Sequence, residues 1–342
     1  MIVELTRKKV SEYTQRVLTF PSDIGRAFLG IERKLESFFR DSFVYGLPGT
    51  EFDAALLWMP IGRTKRREDL GPGMSSFPSW SWQGWEGHAA YPWAIEREYS
   101  ISTEDSPLEW KSAVPGGREF TMDRYRTPKF GASYESRSCR LVDDEWSSCK
   151  DLSANDGVVY FHPVERNRDP ALRFVAPNSL RLTLQTPTVH FEVGGGAIRR
   201  KSPYNVVHDV FHLPVLDKFG KMAGFIYIPD PELQRGGIED YTGWHEFIVL
   251  SRSTIKGHKF EKKNASGWTG NNPIRNFRGT NNLVDEKGYF DVYSYDPALP
   301  WCMYNVMMIS REGRVANRIA IGRVHIQAVH QAEPVNRTVF LE

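Results

Sequence analysis

Apolar residues in the first sixty positions recur at the spacing of an α-helix. The segment SDIGRAFLGIERKLESFFRDS places them three and four positions apart along residues 22–40, which is the stripe of an amphipathic helix. A second, shorter helix is predicted at TEFDAALLWM, residues 50–59, where Thr50 can cap the first turn and Pro60 ends the helix. Each predicted helix has one apolar face, so both need a surface to pack against.

From about residue 155 onward the pattern changes to the alternation typical of β-strands. Leu180, Leu182 and Leu184 alternate with polar residues, a period of two that no helix gives. Further segments of this character are GVVYFHPV, VVHDVFHLPVL, MAGFIYIPD, WHEFIVLSRS, YNVMMI, ANRIAIGRVHI and RTVFLE. The intervals between them are too short for crossover helices, and SREGRV indicates a hairpin turn, so we expect an antiparallel sheet.

These elements predict an α+β fold in which N-terminal helices pack on a predominantly antiparallel β-sheet, arranged as a sandwich or a partly open barrel. Three regions follow along the chain: a helical and Trp-rich segment at 1–95, a loop-rich insertion at 96–154 and an antiparallel β-rich region at 155–342. Residues 254–288 are rich in Gly, Asn and Lys and predict a long surface excursion. We expect 1–95 and 155–342 to form one intertwined domain.

Composition and charge narrow the possible partners and compartments. The 44 Lys and Arg residues nearly balance the 42 Asp and Glu residues, so bulk electrostatics favour neither nucleic acid nor an anionic membrane. The basic cluster at residues 63–67 is followed by Glu68 and Asp69, which favours a solvated loop. No apolar run resembles a signal peptide or reaches the roughly 18 residues of a membrane span. We predict a cytoplasmic protein with no nucleic-acid or membrane partner.

No motif in the sequence specifies a metal, cofactor or nucleophile site. His208 and His212 lie four apart in a strand pattern, which separates them by about 13 Å, too far to share one metal. Cys302 lies in an apolar strand and fits a small core residue, and the triple glycine of VGGGAIRR lacks the endings of phosphate and dinucleotide loops. Acid pairs suited to a hydrolase stay open, with Glu86 and Glu246 as the first candidates. We expect no metal and no cofactor.

The most distinctive stretch is FPSWSWQGWEG, residues 77–87, with three tryptophans in six positions. If this stretch is extended, Trp80 and Trp82 point to one side while Ser79 and Ser81 point to the other. Such an aromatic face can stack sugar rings, or it can be the surface that the two predicted helices cover. The helices just upstream favour packing, and a carbohydrate-binding or other ligand-binding β-module stays as the alternative.

The same region carries a resemblance to a known family. YGLPGTEFDAALLWMPIG, then RR, then FPSWSWQGWEG resemble the segment that follows the heterokaryon-incompatibility (HET) domain in many filamentous-fungal proteins. In that segment Gly-Leu-Pro, Phe-x-x-Ala-Leu-x-Trp and Pro-Ser-Trp-Ser-Trp-x-Gly-Trp recur in this order. EFIVLS, YNVMMISREGRVANRIAIGRVH and RTVFLE are similar to its terminal strands. The residues that carry the signature here are Phe52, Trp58, Pro78, Trp80, Trp82 and Trp85.

The resemblance covers residues 11–95 and 244–342, and it implies a role in fungal non-self recognition and programmed cell death. The HET domain itself has no counterpart in the sequence, so the resemblance implies a truncated, non-enzymatic accessory or regulatory region. Any catalytic residues of the effector domain would lie in the missing part, and none is carried over. The implied partner is a HET-family protein or the missing domain, and an exposed apolar patch is expected where that domain would pack.

Overall fold

The computed structural model describes residues 2–20, 23–39, 43–48, 52–67, 77–91, 99–102, 109–114, 118–121, 181–200, 210–233, 237–255, 275–276, 283–284, 289–295 and 302–342. The predicted strand GVVYFHPV and most of the predicted excursion at 254–288 lie outside these residues. Among the helices within them, none combines the length and apolar character needed to cross a bilayer.

The N-terminal part is built from helices and two small hairpins. Its elements are α1 (Ile2–Thr14), α2 (Ile24–Phe39), β1 (Phe43–Val44), β2 (Leu47–Pro48), α3 (Phe52–Ala55), β3 (Met59–Arg66) and β4 (Trp85–Ala90). β1 pairs with β2 and β3 pairs with β4, both antiparallel. α1 lies along β4 and contacts α2, so α1 covers the β3–β4 pair. We call this part the N-terminal unit.

The two helix predictions had different outcomes. The helix predicted at 22–40 is confirmed as α2, and its apolar stripe turns Ile24, Phe28 and Leu35 into the core. The helix predicted at 50–59 is wrong, because only Phe52–Ala55 is helical and the chain enters β3 at Met59. Residues 54–59 are all buried, so this run has no solvent-facing side and its apolar residues are equally compatible with a strand.

The sequence reasoning missed α1. Its buried residues Thr6, Val10 and Tyr13 are spaced four and three apart, which is a helical stripe, although charged residues separate them. That spacing was the available signal.

The C-terminal part is one eleven-stranded sheet. Its strands are β5 (Tyr99–Ser102), β6 (Glu109–Val114), β7 (Arg118–Thr121), β8 (Leu182–Val193), β9 (Ile198–Arg200), β10 (Val210–Leu216), β11 (Met222–Ile228), β12 (Gly243–Ile255), β15 (Met303–Glu312), β16 (Val315–His325) and β17 (Val335–Leu341). β13 (Arg275–Asn276) and β14 (Leu283–Val284) form a separate pair, and α4 (Ile326–Gln331) joins β16 to β17. The α+β class is therefore as predicted, and three strands arise within the region expected to be loop-rich.

Strand pairing closes the sheet into a barrel. Each successive pair in the ring β8–β12–β15–β16–β11–β10 is antiparallel, and β10 returns to β8. β17 pairs antiparallel with the first half of β8 and makes a short parallel contact with β16. Of the two expected arrangements, the described strands take the barrel, in which a two-residue contact between β10 and β8 completes a ring of six strands. Closure removes the free edges that an open sheet would expose.

The long strand β8 is buried on both faces over residues 182–189. The predicted alternation is present, with Leu182 and Leu184 in the core, but the polar face is not exposed to solvent. Instead, the Thr186 hydroxyl donates to the Val249 carbonyl and the Thr188 hydroxyl donates to the Val335 carbonyl at 3.0 Å. These bonds satisfy buried hydroxyl groups and tie β8 to β12 and β17.

Two glycines allow β11 and β16 to approach closely. A Cβ atom on Gly224 would lie 2.1 Å from the Arg323 carbonyl oxygen, and one on Gly322 would lie 2.1 Å from the Phe225 carbonyl oxygen. The two glycines flank the paired residues Phe225 and Arg323, whose guanidinium lies 5.2 Å from the Phe225 ring. A side chain at either glycine would push the two strands apart.

The predicted SREGRV hairpin is confirmed between β15 and β16. Glu312 pairs with Val315, which leaves Gly313 and Arg314 as a two-residue turn. Gly313 has φ +65°, the conformation that a tight hairpin turn requires and that glycine adopts at least cost.

Candidate functional site

The tryptophan segment is a turn followed by a short 3-10 helix at Trp82–Gly84, and it is not extended. The Ser81 hydroxyl accepts from the Gln83 amide at 3.0 Å and donates to the Tyr45 carbonyl at 2.7 Å, which fixes this turn. The expectation that both indoles share one face was therefore wrong in its geometry. Local side-chain-to-backbone bonds of serine replaced the extended backbone.

Trp80 and Trp82 are buried against different aromatic side chains. Trp80 is 0% exposed and meets Tyr45 and Phe52 edge-on, with ring centroids 5.4 and 5.8 Å apart. Trp82 is 1% exposed and packs against Tyr13 of α1 and Phe28 of α2, at 6.0 and 4.9 Å. The segment is therefore the surface against which the N-terminal helices pack.

Indole N–H groups lock the segment to its neighbours. Trp58 donates to the Trp80 carbonyl at 2.8 Å, and Trp82 donates to the Gly46 carbonyl at 3.2 Å. Trp85 donates to the Ser79 carbonyl at 2.9 Å. Each bond supplies the partner that a buried indole N–H needs.

The β1–β2 turn fits the face of Trp82. Tyr45 and Gly46 have φ +49° and +79° and form a two-residue turn between Val44 and Leu47, the geometry of a type I′ hairpin. A Cβ atom on Gly46 would lie 2.5 Å from the Trp82 ring. Glycine is therefore required here for both its backbone conformation and its size.

Residues 63–66 of the basic cluster belong to β3 and Arg67 directly follows it, so the prediction of a solvated loop was wrong. Arg66 donates to the carbonyls of Phe77 and Gly84, the latter at 2.6 Å. Arg67 is buried and donates to the carbonyls of Gln83 and Trp85 at 3.1 and 3.0 Å. The two guanidiniums hold the tryptophan segment in its turn, which is a task that arginine's fixed fork of donors suits.

Arg318 on β16 joins the barrel to the N-terminal unit. Its buried guanidinium lies 3.8 Å from the centre of the Trp58 ring and donates to the carbonyls of Leu56, at 2.9 Å, and Trp58. Burial lowers the pKa of Arg318 to about 9, which leaves the group charged at neutral pH. The Arg318 amide donates to the Ser79 hydroxyl at 3.1 Å, and that hydroxyl donates to the Glu342 carbonyl. We call Ser79, Arg318 and Glu342 the latch.

The six signature residues thus lie in one cluster. Phe52, Trp58, Pro78, Trp80 and Trp82 are buried, and Trp85 is half-buried with its ring 6.1 Å from that of Trp58. A sugar ring stacked on Trp80 or Trp82 would have to displace packed side chains. The geometry favours the packing interpretation of these indoles.

The other candidate residues are spread across the molecule. His212 is buried on β10, stacked on Phe225 with ring centroids 4.3 Å apart, whereas His208 lies outside the described residues. Cys302 is buried, and residues 194–197 form the loop between β8 and β9. Within the described part of the chain, no group of three or more His, Cys, Asp or Glu residues is placed to hold a metal ion.

The two acids singled out for a hydrolase are both in ion pairs. Glu246 accepts from Arg311 at 2.5 and 2.7 Å, and Glu86 lies 3.7 Å from Arg67. Burial works in the opposite direction, but the hydrogen bonds and charge of Arg311 hold the pKa of Glu246 below its ordinary value. A general acid needs a raised pKa, so Glu246 is unsuited to that role.

One hydroxyl–imidazole contact was not predicted. The Ser11 Oγ lies 2.8 Å from His88 Nε2, and the Gln15 amide lies 3.3 Å from the same nitrogen. Ser11 lies in α1 and Gln15 directly follows it, while Thr14 at the end of the helix exchanges hydrogen bonds with the Ala89 backbone. These contacts fasten α1 to β4, and they account for the pair as a packing contact.

A shallow surface groove on the barrel is the second candidate site. It has two lobes, of 290 and 390 Å³, which share His190 and Trp244. Trp244 is 61% exposed, and Phe219 on the rim of the first lobe is 72% exposed. Sequence reasoning missed this groove, because it depends on the register between strands that are far apart in the chain. We call it the Trp244 groove.

Comparisons with known proteins leave the chain without an assigned relative. No family model matches the sequence, and neither the curated proteins nor the solved structures include a significant match.

Proposed function

We propose that this chain is a non-enzymatic accessory or regulatory region of the HET type, which acts by binding a protein partner in non-self recognition. The observation that carries the proposal is the mutual fit of the motif residues. Gly46 faces Trp82, the Trp58 indole donates to the Trp80 carbonyl, and Arg66 holds the segment's backbone. The order of motifs that resembles the HET companion region therefore corresponds to one packed cluster, as expected for the signature of a structural module.

A second observation supports a protein partner. Val17 and Phe20, in the connection between α1 and α2, are 98% and 64% exposed, and Leu29 of α2 is also exposed. Exposed apolar side chains on a single unit are a feature of protein interaction sites. They lie on the N-terminal unit. In a HET-family protein the HET domain precedes this region, so its connection would enter through this unit.

The test is a cell-death assay in a filamentous fungus. A HET-domain protein is expressed from an inducible promoter with or without this chain, and the fraction of cells that take up a viability dye is counted. We expect the chain alone to leave viability unchanged and to alter the death caused by the HET-domain protein. Binding of the two purified proteins is measured in parallel by calorimetry.

Matched variants locate the interaction. The double variant Val17→Ser, Phe20→Ser should keep the fold and weaken partner binding at least tenfold. The control, Phe219→Ser with Val335→Ser, removes similar exposed apolar area from the barrel and should bind as the native chain does. Cell death caused by the chain alone, or no effect on the HET-domain protein, would contradict the proposal.

A further inference from the structure

We propose that the Trp244 groove binds a neutral oligosaccharide, with the Trp244 indole as the platform for one sugar ring. This site is separate from the protein-binding role proposed above, and it involves none of the signature tryptophans. The inference rests on the geometry of the exposed aromatics, on the hydrogen-bonding groups beside them and on the charge balance of the groove.

Strand register places the groove on the outer face of the barrel. Trp244 lies opposite Glu192, and Glu246 lies opposite His190, on the paired strands β12 and β8. The alternating residues Phe191 and Phe247 are buried inside and stack edge-on at 5.8 Å. The inner face therefore holds β8 and β12 rigidly, while the outer face presents Trp244 to solvent.

The second aromatic side chain is held by an ordered turn. The Asp217 carboxylate accepts from the amides of Phe219 and Lys221, both at 2.8 Å, and from the Tyr295 hydroxyl at 2.6 Å. These three bonds fix the turn between β10 and β11, so Phe219 stays on the rim of the groove, with the Lys218 Nζ 5.4 Å from its ring. Two exposed aromatic rings on rigid supports lose little conformational entropy when a ligand binds.

Polar groups beside Trp244 can serve sugar hydroxyls as donors and acceptors. The carboxylate of Glu246 and the guanidinium of Arg311 are held together in a bidentate pair, and both line the second lobe with His190 and Asp240. A carboxylate keeps lone pairs and a guanidinium keeps N–H groups beyond those used in such a pair. Oriented groups of both kinds fit a ligand with many hydroxyls.

Charge balance favours a neutral ligand. Glu246 and Arg311 cancel each other, Lys218 and Arg337 in the first lobe are offset by Asp217 and Glu333 there, and Asp240 adds one negative charge in the second lobe. A site for phosphate or another strong anion would present an excess of cations. The groove has no such excess, so its recognition must rest on stacking and on hydrogen bonds to uncharged groups.

The pairing of the strands leaves little room for an extended peptide. β12 pairs with β8 on one side and β15 on the other. The opposite side of β8 pairs with β17 up to Thr188 and with β10 from Glu192, so among the described strands only residues 189–191 of β8 lack a strand partner there. A peptide that adds to a sheet needs a free backbone edge, and three residues are a short one. Recognition therefore falls mainly to side chains, which suits a sugar chain lying across the strands.

The experiment is calorimetric titration of the purified full chain with cellohexaose and chitohexaose, two neutral hexasaccharides. We expect binding of at least one of them, weakened at least tenfold by Trp244→Ala and less strongly by Phe219→Ala. Tyr293→Ala, which removes an equally exposed aromatic ring elsewhere, should leave the affinity unchanged. Far-ultraviolet circular dichroism of each variant checks that the fold is retained.

Three results would overturn the proposal. The first is the absence of binding to both hexasaccharides at millimolar concentration. The second is equal affinity in the native chain and in a folded Trp244→Ala variant. The third is a groove that selects peptides from a peptide array and neither sugar. None of these results bears on the cell-death assay, so the two proposals fail separately.

Discussion

Replacement of Arg318 by methionine tests how much the buried guanidinium of Arg318 contributes to stability. Methionine has a similar length and fills much of the same space, but it cannot donate to the carbonyls of Leu56 and Trp58. It also lacks the positive charge that lies 3.8 Å from the centre of the Trp58 ring. The variant therefore removes the polar contacts while it keeps most of the packing.

The expected loss follows from opposing contributions. Each buried carbonyl left without a donor costs about 1–3 kcal/mol. A desolvated cation–π contact contributes about 2 kcal/mol. Against these losses, the methionine variant avoids the cost of moving a charged group from water into the protein interior, which offsets several kcal/mol. We expect the free energy of unfolding to fall by about 2–4 kcal/mol, because two carbonyls and one ring lose their partner together.

The measurement is urea unfolding followed by circular dichroism and by tryptophan fluorescence. The control is Arg314→Met in the exposed β15–β16 turn, which makes the same substitution without a buried partner. Arg318→Lys should fall between the two, since one ammonium cannot reproduce the fork of the guanidinium. If Arg318→Met unfolds at the same urea concentration as Arg314→Met, the buried guanidinium contributes nothing measurable and the reasoning is refuted.

Three further predictions concern the core and one titrating group. Burial raises the pKa of Glu32 to about 7 from 4.5, so the contribution of this carboxyl group to stability is complete below pH 4.5 and is lost as the pH rises through 7. Relative to the native chain, Glu32→Gln should therefore raise the free energy of unfolding by roughly 1 kcal/mol at pH 8, after allowance for partial exposure, and leave it unchanged at pH 4.5. Urea titrations at both pH values measure the difference. Gly322→Ala should lose about 2–4 kcal/mol or fail to fold, because its Cβ would lie 2.1 Å from a carbonyl oxygen of β11; a melting temperature within 2 °C of the native value, about that from a loss of 1 kcal/mol, would contradict this. Trp80→Phe with Trp82→Phe should lower the melting temperature and leave the iodide-quenchable fluorescence intensity unchanged, since both indoles are buried; a drop in that intensity would show that they are accessible.

The sequence was most informative for elements that have one buried face and one face exposed to solvent. α2 shows a single apolar stripe and was predicted nearly to the residue, and strands β10 to β12 and β15 to β17 were all identified. It was least informative at FDAALLWM. This run is buried on every side, so no alternation of apolar and polar residues shows whether it is a helix or a strand. Helix and strand differ there only through distant partners, such as the Trp80 carbonyl that accepts from Trp58.

The candidate sites also differ in how much of them the sequence predicts. The tryptophan motif was visible in the sequence, but its turn depends on carbonyls held by Arg66 and Arg67, which were taken for a solvated loop. The Trp244 groove had no local signal, because Trp244 begins a strand like any other. Its exposure follows from the register of β12 against β8, and the two strands are about fifty residues apart in the chain.

The contact between Ser79 and Glu342 has a consequence for synthesis of the protein. The two residues are 263 positions apart, so the tryptophan segment can complete its hydrogen bonds only after β16 and β17 have been made. At about 5–20 residues per second, a ribosome needs roughly 13–50 s to cover that interval. During this time the Trp58 ring lacks the guanidinium of Arg318 that covers it, and this side of the N-terminal unit is open to chaperones and to aggregation. Folding of the tryptophan segment is therefore completed only after Glu342 has been made, however early this motif emerges.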